Sequence, residues 1–172
     1  MERRFAGRGQ LGSIVLLAVA SLLILRPWES PRGPSIPSAA SAFVVRVVDG
    51  DTVEARIGGR VEDVRYIGVD TPETVKPDTP VQCFGPRASA FNHRLVEHRQ
   101  VRLVLGVERR DAYGRLLAYV YLGHRFVNAS LVRRGLARSL TIPPNNRFAA
   151  LFRRLEIGAA REGRGLWGAC PT

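Results

Sequence analysis

The alternation of apolar and polar residues predicts a run of β-strands at the start of the domain. Residues 43–48, 52–57 and 60–69 alternate with a period of about two, as half-buried strands do. Asp49-Gly50-Asp51 separates the first two runs, and Gly58-Gly59 has the composition of a tight hairpin turn. The sequence therefore predicts a three-stranded meander.

The rest of the pattern adds two strands and about three helices. A Pro-rich stretch over residues 71–80 is a loop, because proline suits neither a strand nor a helix interior. The later elements are predicted as a helix over 86–98, strands over 100–107 and 115–122, a short helix that Asn128 caps and that stops at Gly135, and a helix over 147–162. This order predicts an α+β domain, a small and partly open five-stranded barrel of the OB type.

The first 42 residues have the pattern of a targeting segment rather than of a fold. Three arginines precede an uncharged apolar run over residues 11–25, and a Pro/Ser/Ala-rich linker follows it. The run is long for a signal-peptide core and short for a membrane span. A secretion signal cleaved after Ala40-Ser41-Ala42 and an uncleaved membrane anchor therefore both stay open. Either one places residues 43–172 outside the cytoplasm as a single domain.

Composition narrows the class of partner. An apolar fraction of 45% and a charged fraction of 24% are those of a globular protein. The 172 residues include 26 basic and 15 acidic ones, and Lys76 is the only lysine. Arginine pairs phosphate oxygens two at a time, so the charge favours nucleic acid or an anionic membrane surface. A solvated basic surface that reflects only a preference for arginine is the alternative.

Cysteine and histidine usage gives no zinc site. Cys83 and Cys170 are far apart and have no histidine neighbours, which favours a single disulfide in an exported domain, with two free thiols as the alternative. His93 and His98 fall on different faces of the predicted helix, and His124 is isolated. We interpret the three histidines as surface residues rather than as metal ligands or a catalytic base.

Two acidic segments end neighbouring strands. Alone, Asp49-Gly50-Asp51 is a hairpin turn, and Asp70-Thr71-Pro72-Glu73 is a capped exit from a strand. Together, two strand-end carboxylates and a nearby backbone carbonyl make a set of hard oxygen ligands that suits Ca²⁺. Glu73 follows closely and could deprotonate a water beside such an ion.

Two arginines could complete a phosphate site. Arg65 lies five residues before Asp70 on the same predicted strand, and Arg115 begins a later strand after a polar turn. Two guanidinium groups and one cation would stabilise the charge that builds on a phosphoryl group. Any single arginine in so basic a chain is more simply a surface charge.

Several linked motifs, in order, resemble the staphylococcal nuclease (thermonuclease) family. They are VVDGDTVEARIGGRVEDVRYIGVDTPET, CFGPRASAF, DAYGRLLAYVYL, VNASLVRRGLAR and PPNN, and they cover about residues 45–167. The resemblance implies an OB-barrel, Ca²⁺-dependent endonuclease that acts on DNA and RNA, with single-stranded or unpaired regions favoured. It also implies products that carry a 3′-phosphate.

The resemblance assigns roles to individual residues. Asp51 and Asp70 match the calcium carboxylates, and Thr71 matches a ligand that binds through its backbone carbonyl. Glu73 matches the residue that activates the attacking water. Arg65 and Arg115 match the arginines that hold the phosphate, and Tyr113 matches a tyrosine that contacts the substrate phosphate. Asp49 would at most support a ligand.

Some positions depart from the family pattern, and two other functions remain to be considered. Residues 75–80 contain only Lys76 where several lysines are usual, Ala112 stands where a lysine can occur, and residues 139–143 lack stacking tyrosines. A catalytically silent nucleic-acid-binding OB module should lack one of the acidic or arginine residues, and none is missing here. A surface protein that holds anionic polymers or lipid headgroups would not explain the carboxylates.

Overall fold

The computed structural model describes residues 38–75 and 78–170, so the predicted leader over residues 11–25 and Lys76 lie outside the described residues. No helix within the described ranges is long and apolar enough to cross a membrane. The strands are β1 (Ala39–Val47), β2 (Thr52–Ile57), β3 (Arg60–Tyr66), β4 (Val69–Asp70), β5 (Gln100–Arg110), β6 (Leu116–Leu122), β7 (Arg125–Phe126) and β8 (Arg138–Ser139). The helices are α1 (Gly85–Val96), α2 (Val127–Arg133), α3 (Ala149–Arg161) and α4 (Leu166–Ala169).

Five strands close into a barrel. The main sheet has the order β3-β2-β1-β5-β6-β7, and an additional parallel pairing of β3 with β6 joins its two sides. Val64 of β3 aligns with Leu116 of β6, and both are buried. Closure removes free strand edges, and alternate residues of each strand then fill the interior. The five-stranded OB-type barrel is confirmed, and it is closed rather than partly open.

The β2–β3 hairpin forms as its sequence predicts. Gly58 and Gly59 have φ values of 54° and 86°, and Ile57 pairs with Arg60 across the turn. Two consecutive positive φ values match the right-handed twist of the flanking strands, and glycine adopts them without a steric penalty. The two glycines therefore fix the register of β2 and β3.

Three boundaries differ from the prediction. β1 begins at Ala39, so that residues 39–42 of the predicted linker pair with β5. The predicted strand over residues 60–69 is split, because Gly68 takes φ 81° and β4 starts again at Val69. Asn128 does not cap α2: the cap position is Phe126, and Asn128 is fully buried within the helix.

Buried asparagines join the helices to the barrel. The Asn128 side chain accepts from the Val120 N–H at 2.9 Å and donates to the Ile67 carbonyl at 2.8 Å. A buried amide that forms hydrogen bonds with buried backbone groups of other elements stabilises the packing of the helix on those elements. α2 is thereby fixed over β6 and over the turn that precedes β4.

Candidate active site

The turn between β1 and β2 places Asp51 inside the protein. The Asp51 N–H donates to Oδ1 of Asp49 at 2.9 Å, a short-range bond that favours this turn. A Cβ on Gly50 would lie 2.7 Å from the Thr71 side chain, so only glycine allows this approach. Asp51 is 3% exposed, and its Oδ2 accepts the Thr71 N–H at 2.7 Å. The two acidic segments are thus in direct contact.

Arg65 joins the two predicted metal carboxylates. Its guanidinium Nη1 lies 2.6 Å from Asp51 Oδ2, and its Nη2 lies 3.0 Å from Asp70 Oδ1. Nη1 also donates to the Val69 carbonyl at 3.0 Å. Arg65 pairs with Thr52 in the β2–β3 ladder, which brings its side chain to the DGD turn. The two carboxylates therefore converge on a single positive group.

Burial makes the Asp51 charge costly. It raises the pKa of Asp51 to about 7, although Arg65 and the Thr71 N–H both favour the ionised form and lower it. The Asp49 carboxylate raises it further. A cation in contact with Asp51 would relieve this cost, because an opposite charge favours the ionised carboxylate.

The oxygen set fits a hard cation. Asp51 is buried, Asp70 has a side chain that is 55% exposed, and both already face one cationic group. Thr71 lies between them, next to Asp51, and lines the same pocket. Among the described residues there is no cluster of three or more His, Cys, Asp or Glu side chains able to hold a metal. The candidate ligands are two carboxylates and one carbonyl, which are hard oxygen donors and suit a hard cation rather than a soft metal.

Backbone hydrogen bonds hold Glu73 at the start of the Pro-rich loop. Its Oε1 accepts the N–H groups of Thr74 and Val75, each at 2.8 Å. Gln82 fixes the main chain of Glu73, since its Oε1 accepts the Glu73 N–H and its own N–H donates to the Glu73 carbonyl, both at 2.9 Å. The position of this carboxylate is therefore set by the loop that carries it.

Arg115 approaches from the neighbouring strand. The parallel pairing of Arg65 with Leu117 brings the start of β6 beside β3. Asp111 orients Arg115: its Oδ2 accepts from Nε at 2.7 Å, and its Oδ1 accepts the Arg115 N–H at 3.0 Å. The Arg115 guanidinium lies 5.3 Å from the centre of the Tyr113 ring, which is 85% exposed.

All seven predicted site residues line one open pocket of about 590 Å³. They are Asp51, Arg65, Asp70, Thr71, Glu73, Tyr113 and Arg115. Asp49 also lines it, and its Oδ1 accepts the Asp51 N–H. A second pocket of about 370 Å³ shares Arg65, Tyr113 and Arg115 and continues onto Leu140 and Ile142.

Sequence reasoning missed the residues that hold this pocket in place. Asn92 of α1 is fully buried, accepts from the Tyr66 hydroxyl at 3.1 Å and donates to the Asp49 carbonyl at 3.0 Å. Burial raises the pKa of Tyr66, which keeps the hydroxyl protonated as a donor. The sequence pattern indicates Asp111 only as part of a polar turn. Its position four residues before Arg115 was the available signal.

Cys83 and Cys170 form a disulfide, with a Cα–Cα distance of 5.8 Å. Both cysteines line a small pocket that also includes Asp70 and Thr71. The bond ties the segment after α4 to the loop between Glu73 and α1. The cross-link therefore supports the side of the site that carries the second acidic segment.

Comparisons with known proteins identify the family of the chain. The family model described as staphylococcal nuclease homologue matches residues 63–169. The chain is 40% identical over 159 residues to the thermonuclease of Staphylococcus intermedius, covering 90% of this chain and 95% of that protein. It is 37% identical over 157 residues to the thermonuclease of Staphylococcus hyicus, covering 91% and 92%. It is 41% identical over 140 residues to the endonuclease YncB of Bacillus subtilis (strain 168), covering 80% and 66%. The chain belongs to the staphylococcal nuclease family and is a hydrolase of nucleic-acid phosphodiester bonds.

Proposed function

We propose that the chain is a Ca²⁺-dependent, extracytoplasmic endonuclease that hydrolyses DNA and RNA to products with a 3′-phosphate. The observation that carries the proposal is an open pocket whose lining brings together Asp51, Asp70, Glu73, Arg65 and Arg115. A phosphodiester hydrolase needs a proton acceptor for water and positive charge around the phosphate. The pocket has candidates for both.

Asp51, Asp70 and the backbone carbonyl of Thr71 would hold the calcium ion. When bound, the ion supplies positive charge next to a phosphoryl oxygen, which lowers the energy of the transition state. The raised pKa of Asp51 supports this assignment, because a bound cation would stabilise the ionised carboxylate that burial disfavours.

Glu73 would act as the general base. Its carboxylate accepts a proton from the attacking water as the water oxygen bonds to phosphorus. The bond between phosphorus and the 5′-oxygen then breaks, and that oxygen takes up a proton from solvent as it leaves, so that the phosphate stays on the 3′ side. The hydrogen bonds from Thr74 and Val75 restrain the carboxylate, and fixed orientation is worth several orders of magnitude in rate.

Arg65 and Arg115 would hold the phosphate from two strands. Asp111 fixes the Arg115 side chain along its Nε edge, which leaves the Nη groups to bind oxygen atoms of the phosphate. Tyr113 is exposed beside Arg115 and would contact the same phosphate.

The adjoining pocket supports a preference for unpaired strands. Tyr113, Leu140 and Ile142 are exposed apolar or aromatic side chains along its wall. A base can enter such a pocket only when it is not paired, and aromatic surfaces accept any base by stacking. DNA and RNA are both substrates on this view.

The proposed location is outside the cytoplasm, either secreted or tethered. The basic and apolar leader and the disulfide support it, since disulfides persist in oxidising compartments. The test is to fractionate cells and sequence the N-terminus of the mature chain. Recovery of the active protein only from the cytoplasm would contradict the location.

The function is tested with the full-length chain and end-labelled single-stranded DNA and RNA, in Ca²⁺ and in chelator. We expect cleavage only with Ca²⁺, and products whose 3′-phosphate groups can be removed by a phosphatase. Glu73→Gln should lower kcat by about 10³-fold or more, whereas Glu62→Gln, at a residue that pairs with Arg110 outside the pocket, should leave it unchanged. Cleavage that persists in chelator, or in Glu73→Gln, would refute the mechanism. Binding without cleavage would favour a silent binding module.

A further inference from the structure

A second basic pocket, of about 630 Å³, lies outside the proposed active site. Its walls include four arginines, a histidine and two aromatic rings, namely Arg125, Arg133, Arg134, Arg164, His124, Phe91 and Phe126. None of the described residues that line it is acidic. Such a surface attracts anions, since its own positive charges repel one another unless a counter-charge binds.

The arginines come from three separate parts of the fold. Arg125 begins β7, Arg133 ends α2 with Arg134 next to it, and Arg164 precedes α4. The C-terminal end of a helix favours nearby cations, which explains part of the position of Arg133 and Arg134. It does not explain why Arg125 and Arg164 converge on the same place. The arginines of the pocket are therefore brought together by the fold and do not come from one basic stretch of the sequence.

Two of these side chains are held in place and two extend into solvent. The Arg134 guanidinium lies 5.1 Å from the centre of the Phe91 ring. Arg164 donates to the Arg133 carbonyl and pairs with Glu162. Arg125 and Arg133 are exposed. Since part of the cluster is already oriented, a bound phosphate would cost less side-chain entropy than on mobile arginines.

The pocket lies at the far end of β6 from the proposed catalytic arginine. Arg115 comes just before β6, and Arg125 comes just after the turn that ends it. The strand has seven residues, and at about 3.3 Å per residue the two arginines are about 20–25 Å apart. Arg134 covers the Phe91 ring, and the Phe126 ring is stacked on Tyr121, so phosphate rather than a stacked base is the group that the pocket can accept.

We propose that this pocket is an exosite that binds the phosphate backbone of the same nucleic-acid strand that is being cleaved. The inference rests on the proposed function of the active site. At about 3.4 Å per stacked nucleotide, about seven nucleotides would span the two sites. Long strands therefore bind both sites, and a trinucleotide binds only the active site.

The test compares two double charge reversals in the full-length chain. Arg125→Glu with Arg133→Glu alters the exosite, and Arg56→Glu with Arg60→Glu makes the same charge change at exposed positions of the β2–β3 hairpin. With a single strand of about 30 nucleotides, well beyond the span above, we expect the exosite variant to raise KM about tenfold. Its kcat, and its kinetics on a trinucleotide, should match wild type. The control variant should change KM by less than about twofold.

A binding measurement separates failure of the exosite from failure of the enzyme. Fluorescence anisotropy of the long strand in chelator should show a smaller salt dependence for the exosite variant, by about 0.7 in slope for each lost phosphate contact. An equal loss of affinity for the long strand in both variants would overturn the exosite. A loss of binding seen only with vesicles of an anionic phospholipid would also overturn it. If wild type binds but cleaves neither substrate, the proposed function fails and the binding result still decides the exosite. Matching thermal unfolding curves would show that both variants fold.

Discussion

Asp51→Asn should stabilise the metal-free protein, although Asp51 is a proposed metal ligand. Burial raises the pKa of Asp51 from its ordinary 3.8 to about 7, so ionising it costs more in the folded than in the unfolded chain. A tenfold change in proton affinity is about 1.4 kcal/mol, which gives a cost of about 4 kcal/mol for the charged form. Asparagine has nearly the same shape and carries no charge.

The net gain is smaller, because asparagine replaces one carboxylate oxygen with an NH2 group, whereas both Asp51 oxygens accept hydrogen bonds, Oδ1 from the Thr52 hydroxyl and Oδ2 from the Thr71 N–H. Arg65 keeps its contact with Asp70, whose side chain is 55% exposed. We therefore expect a gain of about 2 kcal/mol, or a rise in Tm of about 8 °C for a domain of this size. Asp70→Asn is the matched control: it removes an exposed carboxylate and should change the metal-free stability by less than about 0.5 kcal/mol.

The pH dependence identifies the cause. Since the folded pKa is raised, the folded chain holds a proton that the unfolded chain releases, and wild-type stability falls as pH rises from about 4 to about 7. The advantage of Asp51→Asn should therefore be absent near pH 4 and complete above pH 8. Thermal unfolding in chelator at several pH values measures it. With Ca²⁺ added, wild type should gain stability and both variants should gain less. An Asp51→Asn protein less stable than wild type at pH 8 in chelator, or a gain that does not vary with pH, would refute the reasoning.

Three further changes test the supports of the site. Replacing Cys83 and Cys170 with serine opens a loop that spans 87 residues and should lower the free energy of unfolding by about 4–5 kcal/mol in the chain-entropy model. Denaturant unfolding measures this loss, and a curve that matches the oxidised wild type would contradict the estimate. Asp111→Asn weakens the orientation of Arg115 and should lower kcat about tenfold with little change in Tm. If Asp111→Asn lowers kcat further in a chain that already carries Arg115→Ala, then Asp111 does not act through Arg115. A chain that begins at Phe43 lacks the first four residues of β1 and should unfold at least about 5 °C below the full-length chain; equal values of Tm would show that this pairing adds nothing.

The parts of the fold that could be predicted from sequence are those set by local signals. The Gly58-Gly59 turn needs two positive φ values, and the flanking runs alternate in polarity, so the hairpin follows directly. The start of β1 carries no such signal, because alanine and serine favour neither a strand nor a linker strongly. Those residues become strand only because β5 is there to pair with them. The β3–β6 closure is also non-local, and residue pattern alone left the barrel partly open.

Asn128 shows why one local signal failed. Asparagine before a helical run is a good cap, since its side chain can accept a backbone N–H of the first turn. In the folded chain the same side chain bonds instead to backbone groups of β6 and of the turn after β3. Asn92 plays the equivalent part between α1 and Asp49. The sequence cannot distinguish the two uses, because the partners lie in other elements.

Under the proposed mechanism, the placement of Arg65 links cation binding to substrate binding. Its two Nη groups contact Asp51, Asp70 and the Val69 carbonyl, so its hydrogen-bonding capacity is directed at the proposed ligands. A cation that neutralises those carboxylates would release Arg65 to bind a phosphate. The affinity of the site for phosphate must then rise with cation occupancy, and by linkage the cation must bind more tightly when phosphate is present. The carboxylates would then have a second role besides binding the cation, since exchanging Arg65 for the cation would make Arg65 available to the substrate.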